Sequence, residues 1–273
     1  GVQTCALPIW TVVSVGRGAR ASVLEVQGDA DANLANDRQS LWWGTSEVVL
    51  AEGATLSLAT EQDFDRSTIA IVNRQARIGD DATLNLALAS IGARLHKSRI
   101  DNLLVGRGSS VTQVEIGFGS DDQLFDLTSY TRHIGQDTTG DLLSKGVFTD
   151  KARGYIKGLI EIRRSAIGTD SFLGEYGMLL TRTARSVTVP SLEIDQPDCR
   201  RAAHSSAVGP IDEGQIFYLV SRGIDRETAR KLIVMGFLEP VVARIPLAAA
   251  QDRDRKSTRL NSSHVKRSRM PSS

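Results

Sequence analysis

Apolar and polar positions alternate along most of this chain, and the alternation restarts repeatedly from a small residue that follows Gly or Asp. The restarts are Gly18-Ala19-Arg20-Ala21-Ser22-Val23-Leu24-Glu25-Val26, Gly53-Ala54-Thr55-Leu56-Ser57-Leu58, Asp81-Ala82-Thr83-Leu84-Asn85-Leu86-Ala87-Leu88 and Gly108-Ser109-Ser110-Val111-Thr112-Gln113-Val114-Glu115-Ile116. A period of two predicts strands with one buried face, and Gly at most restarts gives the backbone freedom to turn into the next strand. The small residues Ala19, Ala54, Ala82 and Ser109 lie 35, 28 and 27 positions apart. A repeat of that size cannot bury its own core, so it is expected to stack on its neighbours as an all-β solenoid. The pattern fades after Ile116 and returns over Val147–Ile162 and around Met178-Leu179-Leu180. A twisted β-sandwich with similar turns is the competing architecture.

Beyond Gly209 the period changes. Asp212 is placed to cap a helix with Gln215 at its third position, Ile216, Phe217, Leu219 and Val220 on an apolar side, and Gly223 at its end. Asp225 caps a second helix with Ala229, Leu232, Ile233 and Val234 inward and Gly236 as its stop; Pro240 then precedes a third apolar stretch, Val241–Leu247. The organisation is a β core over 10–209 and a small C-terminal helical domain over 210–254.

Residues 1–9 and 255–273 resemble translated sequencing-adapter read-through and are set aside as foreign to the fold. The second of these segments carries six of the 33 Lys and Arg residues and none of the 32 Asp and Glu, so without it the formal charge moves from +1 to −5. Its basic character therefore gives no reason to expect nucleic acid as a partner. The two capped helices could form a helix-turn-helix reader, but the second offers only Arg226, Arg230 and Lys231 as basic residues. The 24 glycines, 7 prolines and 5% aromatic content suit a turn-rich β protein. No apolar run approaches the ~20 residues of a membrane span and no signal peptide is visible, so a cytoplasmic protein without membrane partners is expected. With Cys5 set aside, Cys199 stands as a lone free thiol, leaving no disulfide framework or Cys-rich metal site within this chain.

His204 is the leading candidate for chemistry. It sits in a small-residue segment, Ala203-His204-Ser205-Ser206-Ala207, read as a loop that leaves the imidazole free to bind a metal or accept a proton. The plainer role is to cap the following helix or satisfy a buried carbonyl. Glu193 is a possible second, oxygen ligand, or a strand residue meeting solvent. His96 and His133, among charged neighbours in strand-like sequence, are expected at the surface. No Gly-Lys-Ser/Thr phosphate loop is present, and Val105-Gly106-Arg107-Gly108 reads as a turn because no helix follows it. Asp63 and Asp65, at strand spacing, would be the acids of a polysaccharide-active β-helix enzyme, or simply solvated.

Pro190-Ser191-Leu192-Glu193-Ile194, Ala203-His204-Ser205-Ser206-Ala207-Val208-Gly209 and Asp212–Ile224 together resemble the C-terminal signature of the SufB/SufD scaffold family of iron-sulfur cluster assembly. The likeness extends from about Thr45 to Leu247 and is most specific in its last part. It implies a right-handed parallel β-helix followed by a helical domain, and a family N-terminal region that this chain lacks. The function it implies is that of a non-catalytic scaffold subunit of a SufBCD complex. Such a subunit pairs with a SufB-like chain, shares a transient iron-sulfur cluster with it through His204 as a metal ligand and Glu193, and docks a SufC-like ATPase. Docking falls to Phe217, Tyr218, Leu219, Arg222 and Gly223 of the helices, and ATP binds only on that partner. The SufD branch is favoured. Where SufB-like chains carry a cluster-building Cys this chain has Glu175, the Cys that some members place two residues before the His is Ala202, Cys199 is offset from either, and His204 lacks the Glu-Ala that follows it in SufB. A polysaccharide-active enzyme and a purely structural solenoid remain the alternatives.

Overall fold

A computed structural model describes residues 8–28 and 39–246. Cys5, Leu247 and the segment from 255 onward lie outside them. The strands, in chain order, are β1 (Ile9–Val15), β2 (Arg20–Gly28), β3 (Ser40–Leu50), β4 (Thr55–Asp63), β5 (Thr68–Ile78), β6 (Thr83–Ser90) and β7 (Leu95–Leu104). They continue as β8 (Ser110–Gly119), β9 (Leu124–His133), β10 (Thr139–Phe148), β11 (Arg153–Ile162), β12 (Asp170–Leu179), β13 (Arg185–Ile194) and β14 (Arg201–Pro210). Odd-numbered strands form one seven-stranded sheet and even-numbered strands the other, each in unbroken order. Every pairing is parallel, as between Leu56 and Leu84 or Leu142 and Leu173. This is a parallel β-solenoid; a sandwich of antiparallel strands is excluded.

One corner of the repeat explains the spacing of its restarts. Gly18, Gly53, Asp81, Gly108, Asp137 and Gly168 have φ of 64°, 67°, 51°, 66°, 57° and 74°, one left-handed residue per turn. Each precedes the small residue that enters an even strand, and Ala54, Ala82, Ser109, Thr138 and Thr169 in that position are fully buried. The repeat therefore does not fade after Ile116, as the sequence pattern suggested. Its next corner is Asp137, an Asp as at Asp81, which tolerates the left-handed region, and its small residues are now the threonines Thr138 and Thr169. The hydroxyl stays buried because it donates within the corner, Ser109 Oγ to the Gly106 carbonyl at 2.8 Å and Thr169 Oγ1 to that of Ala166 at 2.9 Å.

Inside the early turns the core is aliphatic, built from Leu50, Leu56, Ile78, Leu84, Ile100 and Leu104. Deeper turns bury polar side chains as well. His96 and His133, expected at the surface, are 3% and 0% exposed. Their charged neighbours Lys97 and Arg132 occupy the outward positions, and strict alternation sends each His inward.

Two helices close the described chain, α1 (Glu213–Ser221) and α2 (Arg226–Val242), capped by Asp212 and Asp225 as expected. α2 runs past Gly236 and contains Pro240 in its last turn. Neither residue stops it, because Leu238, Val241 and Val242 are buried against Ala59, Ala87, Val114, Ile116 and Val147 on the outer face of the even sheet, and burial of that size outweighs one missing amide donor. Leu232, expected inward, is 46% exposed. No helix among the described residues is long and apolar enough to cross a membrane.

Candidate functional site

The solenoid ends on β13 and β14, the last strands of their sheets, and among the described residues nothing pairs with their outer edges. His204 lies in the middle of β14, not in a loop. Its registered neighbour is Leu173, which is buried in the interior with Leu142 and Ile160, and Ala202 packs into the same cluster. His204 therefore occupies the inward row of its strand. It is exposed because no further turn covers it. No hydrogen bond to its ring is made by the described residues, and Asp212 supplies the cap of α1, so the capping role is not used.

Glu193 is also exposed, but on β13 of the opposite sheet and, one residue after the core-packed Leu192, on the outward row. It registers with Glu161, which pairs with Arg132 and Arg163. The fold does not turn Glu193 and His204 toward each other. Cys199 is a half-buried free thiol packed beside Ala202 and Leu192. Among the described residues no group of three or more His, Cys, Asp or Glu is placed to hold a metal ion.

Beneath the open end lie acids whose placement the sequence reading missed. Glu115, Ser144, Glu175 and Ser206 are in register across β8, β10, β12 and β14. Glu115 and Glu175 are each 1% exposed. Burial is the first cause that raises Glu115 to about 7, against a hydrogen bond from Ser144 at 3.4 Å and the charge of Arg74, which lower it. Burial likewise raises Glu175 to about 8, reinforced by the nearby Glu115 and opposed by the Val189 amide. Arg74 is itself engaged, with Glu25 at 3.1 Å and Thr60 at 3.3 Å. A neutral cluster of Asn102, Gln113 and Ser129 continues the seam, with bonds of 2.7 Å from Asn102 to Gln113 and from Gln113 to Ser129. Parity was the available signal: Glu115 shares the phase of Val111, and Glu175 that of Leu173.

The buried histidines are neutral. Burial, then Arg74, pushes His96 down to about 3, and burial pushes His133 down to about 4. His133 spends both ring nitrogens on Thr138 at 2.8 Å and Ser171 at 3.0 Å. Asp65 is committed to a turn: burial would raise its carboxyl, but hydrogen bonds from Ser67 and Thr68 bring the net shift below the usual range. A group so held is a poor general acid. Gly108 forms a corner, as its sequence context implied.

On α1, Ile216 is buried and Leu219 packs with it against Ile211 and Ala229. Phe217 and Tyr218 face outward at 74% and 54% exposure, with the Arg222 guanidinium 4.5 Å from the Tyr218 ring centre and Gly223 left-handed at φ 86°. The aromatic pair is thus a surface feature.

Residues 6–237 match the family model described as SUF system FeS cluster assembly, SufBD core domain. Over 255 residues the chain is 29% identical to the SufBD family protein Rv1462 of Mycobacterium tuberculosis, covering 89% of this chain and 64% of that one. The iron-sulfur cluster assembly protein SufD of Bacillus subtilis is 29% identical over 216 residues, 79% of this chain and 49% of its own length. The SufBD family protein Mb1496 of Mycobacterium bovis is 26% identical over 216 residues, which are 25% of that protein. The chain thus spans less than two thirds of the length of these relatives. With a family model covering most of the chain, and a parallel solenoid followed by two helices as the implied fold, this protein belongs to the SufB/SufD family of iron-sulfur cluster assembly.

Proposed function

We propose that the chain acts as a SufD-like, non-catalytic scaffold subunit in the compartment where iron-sulfur clusters are built. It pairs with a SufB-like partner through the open end of the solenoid and docks a SufC-like ATPase through α1. The observation that carries this reading is the position of His204: an inward-row imidazole on the last strand, whose outer edge has no partner among the described residues, set at the mouth where a second solenoid would abut. Bare strand edges at β13 and β14, with Val187, Val189 and Val208 exposed, provide backbone groups and apolar surface for such a junction.

The cluster is cargo in this scheme. From the mouth this chain offers the nitrogen of His204 and the hydroxyl of Ser206, and the resemblance places the family's cysteines near Glu175 and at Ala202, where this chain has none, so thiolate ligands come from the partner. ATP is bound by the ATPase. His204→Ala is expected to leave folding and heterodimer formation intact, because an exposed substitution changes stability by no more than ~0.5 kcal/mol, while lowering the iron and sulfide content of the complex co-expressed with its SufB-like and SufC-like partners. Undiminished cluster content would remove His204 from the site, and loss of the heterodimer would make its role structural.

A further inference from the structure

Along the outer face of the even sheet one row of apolar side chains passes from strand to strand in register: Leu24 of β2, Ala59 of β4, Ala87 of β6, Val114 of β8 and Leu143 of β10. α2 and Ile245 pack against the last four, none of which is more than 8% exposed. Leu24, at the end of the row, is 37% exposed, and Val26 on the same face of β2 is 52% exposed. The apolar strip thus runs one strand further than the helix that covers it. The chain is heading for that strand. Arg230 bonds the Leu180 carbonyl past β12, Lys145 of β10 donates to the Phe237 carbonyl, and Ile245 packs with Ala59 and Ala87. Next in the sheet beyond β4 is β2, and Leu24 and Ile245 line the same narrow slot. Pro246 follows, which biases Ile245 away from helical geometry and sends the chain out extended. The sequence goes on as Leu247-Ala248-Ala249-Ala250 before it turns polar at Gln251-Asp252-Arg253-Asp254.

We propose that Leu247 and the alanines after it complete the row, covering Leu24 and Val26, so that the run beyond α2 clamps the outer face of β2. The reach is adequate: β2 lies one strand spacing, ~4.8 Å, beyond β4, and two extended residues span up to ~7 Å. The cover comes from within the chain because the tether holds Leu247 beside the strip, at an effective concentration of order millimolar that a free second copy does not match. β2 pairs on its sheet with β4 alone, and the clamp holds it from a second side. Neither His204 nor the exposed aromatic pair of α1 takes part, so the clamp stands whatever those surfaces bind.

Oxidative cross-linking of the full chain tests it. With Cys5→Ser and Cys199→Ser removing the native thiols, Leu24→Cys combined with Leu247→Cys should close an intramolecular disulfide, which requires the two Cα atoms to come within about 7 Å. The comparison is Val49→Cys combined with Leu247→Cys, since Val49 is a comparably exposed position, 42%, on the outward row of the odd sheet. The first pair should close at least about tenfold faster than the second. Equal rates would overturn the proposal, and so would a disulfide that forms chiefly between molecules, which would give the strip to a second copy. Should the cysteine variants fail to fold, hydroxyl-radical labelling of the wild-type chain decides the matter. Leu24 and Val26 should be labelled several-fold less than Val49, and Leu247→Asp in the full chain should abolish the difference. Labelling of Leu24 and Val26 equal to that of Val49, or protection that Leu247→Asp leaves in place, rejects the clamp.

Discussion

Gly158 shows how far one missing side chain organises this protein. A methyl group there would stand 2.5 Å from Glu175 Oε1 and 2.6 and 2.9 Å from the two Leu173 methyls, all in a closed interior. Gly158→Ala is therefore expected to destabilise the fold by ~1–3 kcal/mol through overpacking, read as a lower denaturation midpoint; an unchanged midpoint would mean that Glu175 can swing aside at no cost. Single-residue environments were unevenly legible in the sequence. His96 and His133 were misplaced because the charges beside them drew attention, although those charges are the outward row and the histidines lie in the other phase. His204 was read as accessible, correctly, but for the wrong cause. Its strand position points it inward, and only the end of the repeat leaves it open, a property of the whole sheet that its neighbours in sequence do not encode.

At the scale of elements, the start signals were readable, as was the stop of α1 at the left-handed Gly223, but the stop of α2 was not. Asp212 accepts from the Gly214 and Gln215 amides and Asp225 from that of Thr228, local bonds that any reader of the chain can anticipate. The far end of α2 is decided by contact with the even sheet, so Gly236 and Pro240 gave a false boundary. The same logic separates the two faces of α1. Phe217 is exposed while Ile216 and Leu219 are packed, so Phe217→Ala should leave stability within ~0.5 kcal/mol of wild type. If α1 docks the ATPase, the same change should weaken that association by about 2 kcal/mol, as loss of an aromatic anchor does. Calorimetric titration against the SufC-like subunit measures it, and unaltered affinity would move the docking surface away from α1.

For the molecule as a whole, the polar interior makes stability depend on pH in an unusual direction. Glu115 and Glu175 keep their protons to about 7 and about 8 when folded, against 4.5 ordinarily. Their contribution is complete below 4.5 and is lost as pH rises through those values. His96 and His133 stay neutral to about 3 and about 4, against 6.5, so their contribution is complete above 6.5 and is lost as pH falls. The two trends cancel between 4.5 and 6.5. Above that range the carboxyl trend stands by itself, and roughly 2–3 kcal/mol should disappear between pH 6.5 and pH 8. Denaturant titrations across that interval will show the decline, and Glu115→Gln should flatten its first part; a stability that rises from pH 6.5 to pH 8 would contradict the buried, protonated pair.

The outer course of α2 carries one more consequence. Near its start Arg230 donates to the Leu180 carbonyl just past β12, midway Lys145 of β10 donates to the Phe237 carbonyl, and beyond its end Ile245 packs with Ala59 and Ala87 of β4 and β6. From β12 to β4 is four strand spacings, roughly 19 Å, and the twelve residues from Arg230 to the end of α2 at Val242 rise roughly 18 Å as a helix. The helix is thus a ruler laid along the stack. A solenoid can in principle gain or lose whole turns, since each touches only its neighbours, but here a turn inserted between β4 and β12 would outrun the ruler and strip its far contacts. Length variation is confined to the turns ahead of β4, and the distance from the helical end to the open mouth at His204 stays fixed however long the rest of the protein becomes.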